Sequence, residues 1–87
     1  MTAELSMGKL CTVIEDGIKA ASPAGELTEN VTEASKMGAP REWDSLSFVA
    51  VFNAVSEAFN VELEYDDAIH FRDVKSIHEF LEEVMAA

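Results

Sequence analysis

Histidine and cysteine, which commonly serve in catalysis and metal binding, are few in this chain, and their spacing matches no known catalytic pattern. The only histidines are His70 and His78, and the single cysteine, Cys11, is remote from both in sequence. No metal-ligand spacing of Cys and His occurs, nor a phosphate-binding glycine loop, nor a GxSxG motif. The acids in residues 62–73 lack the spacing and the glycine of a calcium loop, which favours a solvated acidic surface. The sequence therefore predicts a protein that is not an enzyme and has no metal site.

The stretch REWDSLSF, residues 41–48, holds the serine with the most favourable chemical setting. Asp44 is expected to cap a helix by accepting hydrogen bonds from the amides of Leu46 or Ser47. Ser45 is then the first helical residue, with its hydroxyl at an exposed helix tip where free amides and the helix dipole favour a phosphate group. A serine merely tolerated in the first turn is the competing interpretation, and these residues alone leave both open.

A first helix is predicted over residues 7–21, because apolar residues recur there at every third or fourth position. The pair Ser22–Pro23 should end it, since a residue before proline avoids the helical conformation. Cys11 lies on the apolar stripe and is interpreted as a buried small hydrophobe. Gly8 and Gly17 are expected to weaken this helix by about 1 kcal/mol each relative to alanine.

Residues 22–42 are predicted to form a long connection, because they hold both prolines and two of the four glycines. A helical turn is expected within it over residues 31–36. Leu27 and Val31 are expected to hold the connection against the core.

The second helix is predicted to run from the cap at Asp44 to about Phe59. Trp43 before the cap and Phe48 after it occupy the two positions of a hydrophobic staple, which sets the angle at which the chain enters the helix. Its inward face is expected to consist of Leu46, Val49, Phe52, Val55, Ser56 and Phe59.

After the second helix, residues 60–65 alternate between apolar and acidic side chains like a short strand. No second strand candidate exists to pair with them, so an extended connection with Leu63 in the core is predicted. A short helix is expected over residues 66–70.

A last helix is predicted from about Val74 to Met85, with Asp73 or Ser76 as its cap. Its inward stripe is expected to be Val74, Ile77, Leu81 and Val84, with Phe80 beside it. Three main helices and one short helix predict an all-α fold, a small four-helix bundle, in a single domain spanning residues 1–87.

Charge and hydropathy restrict the partners and the compartment. The chain has 17 acids against 6 bases, a net charge of −11, so it should repel nucleic acid and attract basic protein surfaces. Charged residues interrupt the first 20 positions, so no signal peptide is expected there, and the longest uncharged run is too short to span a membrane. A monomer in the cytoplasm is expected.

The segment from DSL at 44–46 to EAF at 57–59 resembles the acyl carrier protein family. The similarity continues without gaps through NVELEYDDAIHFRDVKSIHEFLEEV, where the family has an acidic loop, a short third helix and a final helix. It covers roughly Trp43 to Val84, about half of the chain.

The resemblance implies that Ser45 receives 4′-phosphopantetheine from coenzyme A, in a transfer catalysed by a separate magnesium-dependent phosphopantetheinyl transferase (holo-synthase). It further implies that Asp44 helps the transferase to orient the serine, and that Leu46 packs at the helix start and contacts partners. The thiol of the arm would hold an acyl group as a thioester. Acyl-loading and acyl-transferring enzymes with basic or apolar docking patches are the implied partners.

The second helix departs from the carriers of fatty acid synthesis, which usually display several acids there. The corresponding exposed positions are Ser47, Ala50, Val51 and Ser56, with Glu57 as the only acid. Partner contact is therefore expected through Phe48 and Val51 and through the acids of residues 62–67. Asn53 is expected either to bond the preceding loop or to face solvent.

These departures favour a carrier dedicated to a specialised fatty acyl or polyketide pathway. An aminoacyl or peptidyl carrier is the alternative within the class, although such carriers are less acidic than this chain. An unmodified helical protein-interaction module is the alternative from another class.

Overall fold

The computed structural model describes residues 5–22 and 25–86 and shows a bundle of four helices. They are α1 (Met7–Ala21), α2 (Ser45–Phe59), a 3₁₀ helix (Tyr65–His70) and α3 (Val74–Ala86). Within those ranges the extended backbone forms isolated bridges but no strand, so the predicted all-α fold is confirmed. No helix of the described part of the chain combines the length and the apolar character needed to cross a membrane.

Helix α1 has the predicted bounds and begins with a cap, since Ser6 Oγ accepts a hydrogen bond from the Lys9 amide at 3.1 Å. It ends at Ala21, and Pro23, which was expected to end it, lies outside the described residues. Its buried face is Leu10, Ile14, Gly17 and Ile18. Cys11 is only partly buried, because it lies beside this row of residues spaced by four rather than on it.

α1 packs closely on α2 at Gly17. A Cβ atom at this position would lie 3.1 Å from the Val51 Cα, 3.2 Å from the Ala50 carbonyl oxygen and 3.3 Å from the Ala54 Cβ. Real side chains rarely tolerate such distances, so the missing side chain of Gly17 is what permits this contact between the helices.

The predicted inward face of α2 is wrong at its first two positions. Leu46 is 81% exposed and Val49 is 58% exposed. The buried residues are Ser47, Val51, Val55 and Phe59, a row in steps of four. Because nearly every residue of α2 is uncharged, hydrophobicity alone does not select a face; the close contact of Val51 with Gly17 does.

The connection between α1 and α2 contains no helical turn over residues 31–36, which corrects the prediction. Residues 32–35 form a tight turn instead, in which the Ser35 amide donates to the Thr32 carbonyl at 3.0 Å. The Ser35 hydroxyl accepts from the Thr32 amide at 2.8 Å, and this side-chain bond competes with helix formation. Val31 is buried and Leu27 packs partly buried against the core, as predicted.

The same connection is hydrogen-bonded to the start of α3. The Met37 amide donates to the Arg72 carbonyl at 2.8 Å, and the Val74 amide donates to the Ser35 carbonyl at 3.0 Å. The Gly38 amide donates to the Trp43 carbonyl at 2.9 Å. These bonds fix the chain that leads into α2 against the chain that leads into α3.

The C-terminal part largely follows the prediction. Leu63 lies in an extended segment and packs against the core, and the short helix begins at Tyr65, one residue early. Asp73 caps α3 by accepting from the Ser76 amide at 2.7 Å. Val84 is 37% exposed, against the prediction, because the inward row continues in a step of four to Met85. The buried residues of α3 are Val74, Ile77 and Leu81.

Candidate functional site

Ser45 is the first residue of α2 and its side chain is exposed, as the sequence predicts. Its hydroxyl makes no hydrogen bond to any other described residue. The free oxygen therefore stands at the end of a 15-residue helix, where the helix dipole favours an attached negative charge.

The position of Ser45 is set by a reciprocal cap. Asp44 Oδ1 accepts from the amides of Leu46 at 2.9 Å and Ser47 at 3.1 Å, while Ser47 Oγ accepts from the Asp44 amide at 2.8 Å. The Ser47 hydroxyl also donates to the Glu42 carbonyl at 2.7 Å. Both amides donate to the same carboxylate oxygen of Asp44, Oδ1. The second oxygen, Oδ2, accepts no hydrogen bond from a described residue.

Trp43, immediately before the cap, is fully buried, and its indole Nε1 has no acceptor within the described residues. Phe48, the other residue of the predicted staple, is partly buried and stacks on Phe52, with ring centroids 6.4 Å apart. A large buried ring therefore holds the chain entering α2 in place, two residues from the exposed hydroxyl.

Glu42 ties this entry segment to the earlier part of the connection. Its Oε1 accepts from the Thr28 amide at 3.1 Å and from the Thr28 hydroxyl at 3.0 Å. The Thr28 amide bond is the main cause that lowers the pKa of the Glu42 carboxyl, and nearby Arg41 adds to it. The ionised form of Glu42 is thus the one that fixes the connection.

An open groove of about 1010 Å³ lies beside Ser45. Ser45 and Phe48 line it from α2, and Ile69 lines it from the 3₁₀ helix. Its remaining walls include Met37 and two cations, Lys36 and Arg72. Asp66 and Asp73 also line it, so the groove joins a free hydroxyl, an apolar wall and charged side chains of both signs.

The other candidate chemical groups are engaged elsewhere. The His70 ring stacks on Phe80 with centroids 4.9 Å apart, and His78 Nδ1 lies 3.0 Å from the Glu82 carboxylate. Burial, followed by the charges of Glu33 and Glu15, raises the pKa of the Cys11 thiol and so disfavours its thiolate. Within residues 5–22 and 25–86 no three His, Cys, Asp or Glu side chains converge as metal ligands.

The surface around Ser45 differs from the sequence prediction. Val51, expected to contact partners, is fully buried, because it packs on Gly17, and Ser47 is buried in the cap. Leu46 does not pack at the helix start but projects into solvent. Asn53 is exposed, so of its two predicted positions it faces solvent and does not bond the preceding loop.

Sequence reasoning missed the groove residues Lys36, Met37, Ile69 and Arg72. Their positions carry no periodic signal, since they come from two stretches that are far apart in the sequence, 36–37 and 69–72. The backbone bond between Met37 and Arg72 brings these stretches together, and that pairing is not encoded in either stretch alone.

No family model, curated protein or solved structure matches this chain. Its function is therefore inferred from the geometry around Ser45.

Proposed function

We propose that the protein is an acyl carrier protein, modified with 4′-phosphopantetheine at Ser45. The observation that supports this function is the exposed, unengaged Ser45 hydroxyl at the start of α2, beside the groove. The resemblance around DSL at 44–46 supports the same residue. A serine of purely structural importance at a helix start would be expected to use its hydroxyl within the fold, as Ser47 does.

In the modification, the Ser45 oxygen forms a bond to the phosphorus that bears the pantetheine part of coenzyme A. The bond from that phosphorus to the nucleotide part breaks, and the nucleotide leaves as a phosphate ester. The hydroxyl proton passes to a base of the transferase. The protein itself supplies the position of the oxygen, because the cap holds Ser45 at the helix tip, and the helix dipole stabilises the resulting phosphodiester.

The thiol of the arm then forms a thioester with an acyl group, which partner enzymes load, change and remove. Tethering gives the acyl group a high effective concentration at an enzyme that has docked on the bundle. The four helices provide the surface that such enzymes recognise, and the arm provides the reach.

Exposed apolar side chains next to Ser45 supply a docking surface that replaces the predicted contact through Val51. Leu46 is 81% exposed, and Val49, one turn beyond Ser45, is 58% exposed. Ile69 and Tyr65, on the 3₁₀ helix, are 70% and 93% exposed. Partner enzymes are expected to cover these side chains with an apolar surface. The scarcity of charge on α2, where Glu57 is the only charged residue, favours a dedicated fatty acyl or polyketide pathway.

The test is incubation of the purified protein with a promiscuous phosphopantetheinyl transferase and coenzyme A, followed by intact mass measurement. Wild type should gain the mass of one phosphopantetheine unit, and Ser45→Ala should gain none. Ser6→Ala is the matched control, because Ser6 is also an exposed serine at a helix start. This control should be modified like wild type.

Two results contradict the proposal. Folded wild type that gains no mass would favour an unmodified protein-interaction module. A gain that persists in Ser45→Ala would place the modification on a different residue. An aminoacyl cargo on the native protein would leave Ser45 as the site but change the class of the pathway.

A further inference from the structure

The two cations of the groove form no ion pair with any residue that the structure describes. Only 6 of the residues are Lys or Arg, against 17 acids, yet Lys36 and Arg72 both line the groove that contains Ser45. The ion pairs found within the described ranges involve Lys19 and Arg41, and the His78 ring lies against Glu82. In so acidic a protein, a pair of unpaired cations beside one groove points to an anionic ligand.

Backbone hydrogen bonds hold together the two segments that carry these cations. Met37 donates to the Arg72 carbonyl at 2.8 Å, and Lys36 forms an isolated bridge with Asp73. Lys36 is fixed further by an exchange of hydrogen bonds with Ala39, at 3.0 and 2.8 Å. The two side chains therefore start from adjoining and immobilised backbone segments.

Two acids, Asp66 and Asp73, line the same groove and must be weighed against the cations. The Asp73 carboxylate is engaged, since its oxygens accept from the Ser76 amide at 2.7 Å and from the Ser76 hydroxyl at 3.1 Å. Asp66 is exposed and makes no ion pair within the described part of the chain. The four charged residues of the groove sum to zero on a chain of net charge −11, so the groove repels an anion less than the average charge of the chain would.

We propose that Lys36 and Arg72 bind the phosphodiester of the arm on Ser45, so that the arm lies in the groove when no enzyme is docked. This inference rests on the proposed function and adds a second position of the arm to it. The ligand class is a phosphodiester with an amphipathic chain, whose apolar part would contact Met37, Phe48 and Ile69. Salt should weaken the contact, because both cations are exposed.

The test compares amide shifts before and after the arm is attached, using nitrogen-15-labelled protein whose full modification is verified by mass. Amides of Met37, Ile69 and Arg72 should shift on attachment. The double variant Lys36→Gln/Arg72→Gln should reduce these changes by about twofold or more, since each exposed charge pair is weak. The control Lys9→Gln/Lys75→Gln removes two positive charges outside the groove and should match wild type.

A salt titration of the modified wild type is the second measurement. It tests the phosphodiester contact even when the transferase does not modify the double variant. The shift changes at the groove amides should reverse toward the unmodified values at about 0.5 M sodium chloride. Full modification without changes at these amides, or changes insensitive to both salt and the variant, would overturn the phosphodiester contact and leave the carrier function intact. Absence of any mass gain would overturn both proposals.

Discussion

Replacing Gly17 with alanine tests the packing of α1 on α2. A Cβ there would meet the Val51 Cα at 3.1 Å and the Ala50 carbonyl oxygen at 3.2 Å. Both are backbone atoms, so a whole helix must move, and such overpacking costs about 1–3 kcal/mol. Alanine is also a better helix former than glycine by about 1 kcal/mol. The net expectation is a destabilisation of about 0–2 kcal/mol.

Gly8→Ala is the matched control, because Gly8 lies in the same helix and a Cβ there would meet nothing within 4 Å. The gain in helix propensity is common to both variants. Their difference therefore isolates the packing cost of about 1–3 kcal/mol, or roughly 5 °C or more in Tm for a domain of this size.

The assay is urea unfolding followed by far-ultraviolet circular dichroism. The urea midpoint of Gly8→Ala should be higher than that of wild type, and the midpoint of Gly17→Ala should be lower than that of Gly8→Ala. Equal stabilisation by the two substitutions would refute the close approach of α1 to α2 at Gly17.

Asp44→Ala should lower the free energy of unfolding by about 1 kcal/mol, because the amides of Leu46 and Ser47 lose their acceptor; an unchanged urea midpoint would contradict the cap. The fold lowers the pKa of the Glu42 carboxyl, so the ionised carboxylate stabilises the folded protein. This contribution is fully present above about pH 4.3, the pKa of an ordinary glutamate, and is lost as the pH falls through the lower pKa of the folded state. Thermal melts toward acid should therefore show a smaller loss of Tm for Glu42→Gln than for wild type, and parallel curves would refute this. Cys11 should react with iodoacetamide more slowly in the folded protein than in urea, as followed by mass, because its raised pKa and partial burial disfavour the thiolate; equal rates would contradict that environment.

The sequence predicted those parts of the fold that local chemistry decides. Periodic apolar residues located α1, and the cap at Asp44 located the start of α2, because the amides that need an acceptor lie within three residues of the carboxylate. Ser45 followed from that cap. Its exposure is therefore a consequence of local geometry that needs no knowledge of the rest of the chain.

Tertiary contacts decide what the sequence left open. The orientation of α2 depends on Gly17, because the missing side chain of Gly17 leaves room for the backbone of Val51. From the sequence alone, Gly17 was expected only to lower the stability of α1. The groove depends on the pairing of Met37 with Arg72 across 35 positions of the chain. Local propensity and periodicity carry no information about either contact.

The buried indole of Trp43 gives the protein an intrinsic optical label. It is the only tryptophan, it lies two residues from Ser45, and its N–H has no acceptor among the described residues. Its fluorescence should be emitted at short wavelength in the folded state, and any event that lets water reach the beginning of α2 should shift that emission to the red. This emission can therefore report on the proposed attachment of an arm at Ser45 and on the proposed docking of an enzyme there, without adding a dye.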